Sequence, residues 1–240
     1  VANASGRQED PQLVTDGAGG AYIIWMDYKD ETDAEGDIYA QHVLNNGNLA
    51  WGIEGKALTN QPGKQATPNI CSDGSGGAYV IWTDYSTGDI YATHLSNQGI
   101  IAAGSGVPII TNSSNREDPP SIEKGGSGDA VLVWSDDRNA DKDLYVQRIR
   151  VEGSSISTLW GDEGGKLLCN ASEDQIEPRV THYGGSNTII TWEDERNGST
   201  DVYYQILDVN GAGQLNENGI SACSGDWEII EPRIKAENDV

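Results

Sequence analysis

The sequence predicts an all-β fold, a β-propeller of four-stranded antiparallel blades, and three observations carry that prediction. One motif returns four times: Gly19-Gly20-Ala21-Tyr22-Ile23-Ile24-Trp25-Met26-Asp27 followed by Asp37-Ile38-Tyr39-Ala40-Gln41 has counterparts centred on Trp82, Trp134 and Trp192. The tryptophans lie 57, 52 and 58 residues apart, and Pro11, Pro68, Pro119, Pro178 and Pro232 mark successive units 51 to 59 residues long. A fixed long period is the signature of a propeller, solenoid or array. Within each unit the apolar pattern has period two rather than 3.6, and the chain carries 30 glycines and no phenylalanine, as many short strands joined by turns require.

Each unit divides into four strands. The first is Gln12–Thr15 or Arg179–Thr181, opened by a proline that cannot donate to a ladder. Asp16-Gly17-Ala18-Gly19-Gly20, echoed from Asp73 to Gly77, supplies a tight hairpin. The second strand, Ala21 to Trp25 or Val131 to Trp134, is almost continuously apolar and suits burial on both faces. The third, Asp37 to Val43, alternates more cleanly. The fourth is short: Lys56–Thr59, Val107–Ile110 and Lys166–Cys169. The whole chain, 1–240, reads as one domain with repeats near 8–60, 61–112, 113–170 and 171–224 and partial units at 1–7 and 225–240. Because it starts and stops inside a unit, it is expected to be a piece of something longer.

A formal charge of -23, from 15 basic and 38 acidic residues, repels phosphate backbones and argues against nucleic acid as a partner. No apolar run is long enough for membrane insertion. Cys71, Cys169 and Cys223 are too few for a disulfide framework and read as small buried residues.

The repeated Trp25, Trp82, Trp134 and Trp192 read as packing between blades. Asp27 and Asp37, with their three counterpart pairs, flank one hairpin and read as turn-closing acids; Arg138 and Arg196 are placed to bridge both carboxylates of their pairs. The first copy of this loop is the most acidic, and Asp27, Asp30, Asp33 and Asp37 can offer oxygens to calcium, although their spacing is not that of an EF-hand. No other cofactor is expected. His42 and His94 occupy one repeat position, filled in the third copy by Arg148, and form no metal-ligand spacing. Trp51 and Trp160 break the repeat in part; exposed, they would make platforms for sugar rings, and buried, they would pack a blade edge. No nucleophile elbow or phosphate loop is present.

Taken together, Pro-x-Leu/Ile-Val, Asp-Gly-x-Gly-Gly-Ala, Trp-x-Asp and Asp-Ile-Tyr-Ala-Gln resemble the propeller-like repeats of large secreted and surface proteins of bacteria. That resemblance implies an extracellular or cell-surface protein and carries no shared activity. The expectation is therefore a non-enzymatic, structural or adhesive module whose partners are other protein chains, copies of itself or surface glycans. A lectin with one sugar per blade is the alternative. A propeller glycoside hydrolase stands third, because every conspicuous acid recurs by repeat whereas one active site calls for acids that break it.

Overall fold

The computed structural model describes residues 6–28, 35–59, 61–111, 119–161 and 164–223. Among them are seventeen strands and no helix, in four antiparallel sheets. The first sheet is β1 (Arg7–Thr15), β2 (Ala21–Tyr28), β3 (Asp37–Val43) and β4 (Lys56–Ala57), and the second is β5 (Gln65–Ser72), β6 (Ala78–Asp84), β7 (Ile90–Leu95) and β8 (Ile101–Ile110). The third holds β9 (Ser121–Lys124), β10 (Ala130–Asn139), β11 (Asp141–Glu152), β12 (Ser155–Thr158) and β13 (Lys166–Cys169). The fourth holds β14 (Gln175–Tyr183), β15 (Asn187–Asp194), β16 (Asp201–Leu207) and β17 (Ile220–Cys223). Strands follow one another across the sheet in three of the four; in the third, β12 and β13 both pair with β11.

The chain forms two compact units, Val1–Thr111 with Val151–Ser157, and Asn112–Arg150 with Thr158–Val240. Each is built mainly from two sheets packed face to face, and the first also takes in the end of β11 and most of β12. In the first unit Tyr22, Ile24, Met26 and Ile38 meet Ile70, Val80 and Trp82. In the second, Val131, Val133, Leu144 and Val146 meet Val180, Ile190, Trp192 and Tyr203. The four repeated tryptophans are buried, which accounts for their recurrence. Beneath each ring lies a glycine of positive φ: Gly55, Gly165 and Gly219 just before the last strand of their sheets, and Gly106 within β8. A methyl group there would strike the far edge of Trp25, Trp82, Trp134 or Trp192, so the indole fits only against bare backbone.

The prolines are placed differently from expectation. β1 begins at Arg7, so Pro11 lies inside the strand, where the register with β2 shifts between Glu9 and Gln12. Pro68 and Pro178 occupy the same kind of shift in β5 and β14. A bulge takes the proline nitrogen out of the ladder, which is how a strand accommodates it away from its first residue. In the third sheet Pro119 and Pro120 do precede β9.

The cysteines also divide. Cys71 and Cys169 are buried as expected, but Cys223 is exposed. Cys169 Sγ and its neighbour Asn170 are held by Asn218 of the β16–β17 connection, whereas Cys223 ends β17 in a run of exposed residues.

Candidate functional site

The acids that recur with the repeat are occupied by the fold. The indole N–H of Trp25, Trp134 and Trp192 donates to Asp27, Asp136 and Asp194 at 3.1, 3.4 and 2.7 Å. Arg138 does not bridge the two acids of its hairpin, as the sequence suggested. Its Nε and Nη2 both go to Asp136, at 2.9 and 2.6 Å, while Asn139 Nδ2 donates to Asp143 and to the Tyr145 hydroxyl. Arg196 and Asn197 repeat this with Asp194, Asp201 and Tyr203. The two carboxylates therefore have separate donors because an arginine lying over the tyrosine ring, 4.1 Å from its centroid at Tyr145, reaches only one of them.

Of the proposed calcium ligands, Asp30 and Asp33 lie outside the described residues. Asp27 and Asp37 are buried and face each other in the β2–β3 ladder, and Thr59 Oγ1 donates to Asp37 at 3.2 Å. No group of three or more His, Cys, Asp or Glu among the described residues is arranged to hold a metal ion.

The motif glutamine has a role that its position in the sequence did not disclose. Gln41 Oε1 accepts the backbone N–H of Trp51, Gln147 that of Trp160, and Gln205 that of Leu215, at 3.1, 2.7 and 2.9 Å. Each glutamine thus fastens the connection that follows its strand. Trp51 is partly buried beside Tyr22 and His42, with the Lys56 ammonium over its ring. Trp160 is only 5% exposed and donates its indole N–H to the Val209 carbonyl. The open sugar platform anticipated at Trp160 is thus absent, and its ring is instead part of a cavity wall.

A second recurring device lies at the β1–β2 type of hairpin. Asp16 Oδ1 accepts the N–H groups of Ala18 and Gly20, and its Oδ2 is 2.9 Å from His42 Nε2. Asp73 does the same with Ser75, Gly77 and His94. The histidine hydrogen bond, with help from the amides, holds the Asp16 carboxyl below its ordinary range. His42 stacks on Tyr22, whose hydroxyl burial pushes up to about 12. A cavity of about 550 Å³ opens here, lined by Asp16, His42, Asn45, Ser75 and Asn97 among others. In the third sheet the histidine is replaced by Arg148, and Arg150 joins it on Asp129.

The remaining feature is backbone strain. At the three register shifts a residue other than glycine takes positive φ: Asp10 at 50°, Thr67 at 52° and Glu177 at 50°. Side chains rarely adopt this region, and a bulge re-aims the side chain it carries. Two of the three are acids, and the sequence repeats the pairing at Glu231-Pro232, while the other two copies have Thr67 and Pro119 at this place. Asp10 is exposed; Glu177 is partly buried and pairs with Arg179 at 2.7 Å.

No family model matches the chain, and no curated protein matches it in sequence. Solved structures do match in fold. A Hadza microbial sialidase superposes with a TM-score of 0.55 at 13% identity, over 87% of this chain and 46% of its own. A protein of unknown function from Dyadobacter fermentans gives 0.56 at 10% identity, over 89% and 69%. An α-L-arabinanase from Penicillium chrysogenum, complexed with arabinobiose, gives 0.54 at 13% identity, over 91% and 69%. The chain thus spans less than half of the sialidase. These likenesses establish the fold. They also overturn the ranking reached from sequence, in which a non-enzymatic module came first: two of these three structures are glycan-cleaving enzymes, and the fold is shared across nearly the whole chain. The sequence argument failed because it judged only the acids of the repeat, which are the ones the fold consumes.

Proposed function

We propose that the four sheets are blades of a propeller and that the chain belongs to a glycoside hydrolase acting outside the cell. The observation that supports this reading is that each unit carries one strained acid on a bulged first strand, Asp10 in the first sheet and Glu177 in the fourth. Glycosidic bonds are cleaved by carboxylates acting as acid, base or nucleophile. The carboxylates of the Trp-x-Asp hairpins are tied to indole, arginine, asparagine or hydroxyl donors, whereas Asp10 is exposed, Glu177 pairs with the partly exposed Arg179, and both sit where the backbone accepts a cost of about 1–3 kcal/mol. Strain of that kind persists when the aim of a side chain matters. No helix of the described chain is long and apolar enough to cross a membrane.

The test is hydrolysis of fluorogenic arabinosides, xylosides and sialosides by the full chain, with Asp10→Asn and Glu177→Gln assayed separately. Release of fluorophore by the parent, reduced about 10²- to 10⁴-fold in either variant, is the expected result. Full activity in both variants would remove these acids from the chemistry, and absence of turnover across the panel would count against the hydrolase itself.

A further inference from the structure

The cavity of about 550 Å³ in the first unit is well within the size of small-molecule sites. It opens between two hairpins of one kind, residues 16–20 of the first sheet and 73–77 of the second, and reaches the turns that follow β3 and β7.

Its walls are fixed by the fold. Tyr22, fully buried in the core, brings its hydroxyl to 3.0 Å from the Gly76 carbonyl and 3.1 Å from that of Ser96, which ties the hairpin and the turn of the second sheet to the first. Gly76, with φ of +90°, lets the hairpin backbone come close: a methyl group there would stand 3.3 Å from Asn97 Cβ and 3.4 Å from the Asp16 carbonyl oxygen. A pocket held in this way loses little freedom when it is filled.

The chemistry of the wall narrows what can fill it. Its one carboxylate, Asp16, is occupied, since Oδ1 accepts two backbone N–H groups and Oδ2 meets His42 Nε2, so no cage of oxygens awaits a cation. The lining has no lysine or arginine to hold an anion against a net charge of -23. Leu44 is its only large apolar side chain, which leaves little surface for an apolar guest. What remains is neutral and hydrogen-bonding. Asp16 keeps the His42 proton on Nε2 and leaves Nδ1 as an acceptor, and Nδ1 has no hydrogen-bond partner among the described residues. Asn45 and Asn97, exposed at the same place in successive repeats, add amides that both donate and accept, and the exposed Ser75 adds a hydroxyl.

We infer that this cavity binds a neutral saccharide, with the His42 imidazole and the two amides holding its hydroxyl groups. That the occupant is uncharged and rich in hydroxyls follows from the wall; that it is a saccharide rests on the hydrolase reading above. Asp10 lies six residues before Asp16 along β1 and its hairpin, roughly 20 Å at about 3.3 Å per residue, so the cavity is a point of attachment apart from the strained acid.

Calorimetric titration of the full chain with xylotriose, arabinotriose and trigalacturonic acid tests this, together with Asn97→Ala, which removes one amide, and Ser75→Trp, which fills the cavity. The expected result is binding of a neutral trisaccharide, insensitive to added salt, weakened about tenfold, or about 1.4 kcal/mol, in Asn97→Ala and lost in Ser75→Trp. Both residues are exposed in turns, so thermal unfolding of the variants should match the parent. No binding of either neutral sugar, tighter binding of trigalacturonic acid, or an unchanged affinity in either variant would each overturn the inference. Asp10→Asn should bind the neutral sugar as the parent does. Binding without turnover would therefore sink the hydrolase and spare this site, and turnover without binding would do the reverse.

Discussion

The Arg138 side chain gives two hydrogen bonds to Asp136, a carboxylate two residues before it in the same hairpin, and leaves Asp143 opposite to Asn139. Asp136 is fully buried, so its charge is stable in the fold only while donors surround it. Removing the arginine in Arg138→Met leaves that charge to the Trp134 indole and the backbone N–H of residue 138 and should destabilise by about 1–3 kcal/mol, the usual cost of a buried group losing a partner. Adding Asp136→Asn to the same chain should return part of the loss. Urea melts of the two variants provide the comparison, and additive losses would show that the pair is not a unit.

The contact between Gly165 and Trp134 makes a sharper demand. The glycine has φ of +74°, and a side chain there would run into the indole. Gly165→Ala should therefore destabilise by more than the roughly 1 kcal/mol that separates the two residues at an ordinary site. Trp134→Ala should cost about 3–5 kcal/mol through the cavity left behind. Thermal unfolding of the double variant would show less than the sum, because the clash disappears with the ring.

Asp16 links the fold to pH. Its carboxyl lies below the ordinary value of 3.8, chiefly because the His42 ring donates to its ionised form. A depressed folded value means that this contribution is complete above the unfolded value and is lost as pH falls through the folded one. The advantage of the parent over Asp16→Asn in melting temperature should therefore be constant near neutrality and shrink below about pH 4. An undiminished gap at pH 2 would place the role of Asp16 in packing instead.

Thiol chemistry should separate the cysteines. Burial pushes the Cys169 thiol up to about 11, so little thiolate forms at neutral pH. Cys223, exposed at the end of β17, should react with a disulfide reagent at once. Cys169 and Cys71 should react only on unfolding. Rapid labelling of all three in the folded chain would contradict the burial described for Cys169 and Cys71.

The architecture was legible because its cause is periodic: the tryptophans recur where sheet packs on sheet, and Ile38, Ala40 and their neighbours alternate as a half-buried strand must. The Asp–Arg and Asn arrangement was half legible, since spacing puts Arg138 near both acids but cannot tell which one its planar fork meets. Asp10 and Glu177 were passed over because attention to the proline hid the residue before it. The cue was there: an acid preceding Pro11 and Pro178 where another copy has threonine. Arg150 was legible in principle as a second arginine where other copies have leucine or serine, but its partner Asp129 lies 21 residues away in sequence.

The glutamine bolt has a consequence for how such chains can be altered. Because Gln41, Gln147 and Gln205 seize the returning backbone at one fixed point, the turn between the strand and that point is anchored on both sides. Foreign peptide spliced in at Asn46-Gly47 would hang from two pinned ends as from a bracket. The same scaffold could thus display unrelated loops, so long as its glutamine and the amide it grips are left untouched.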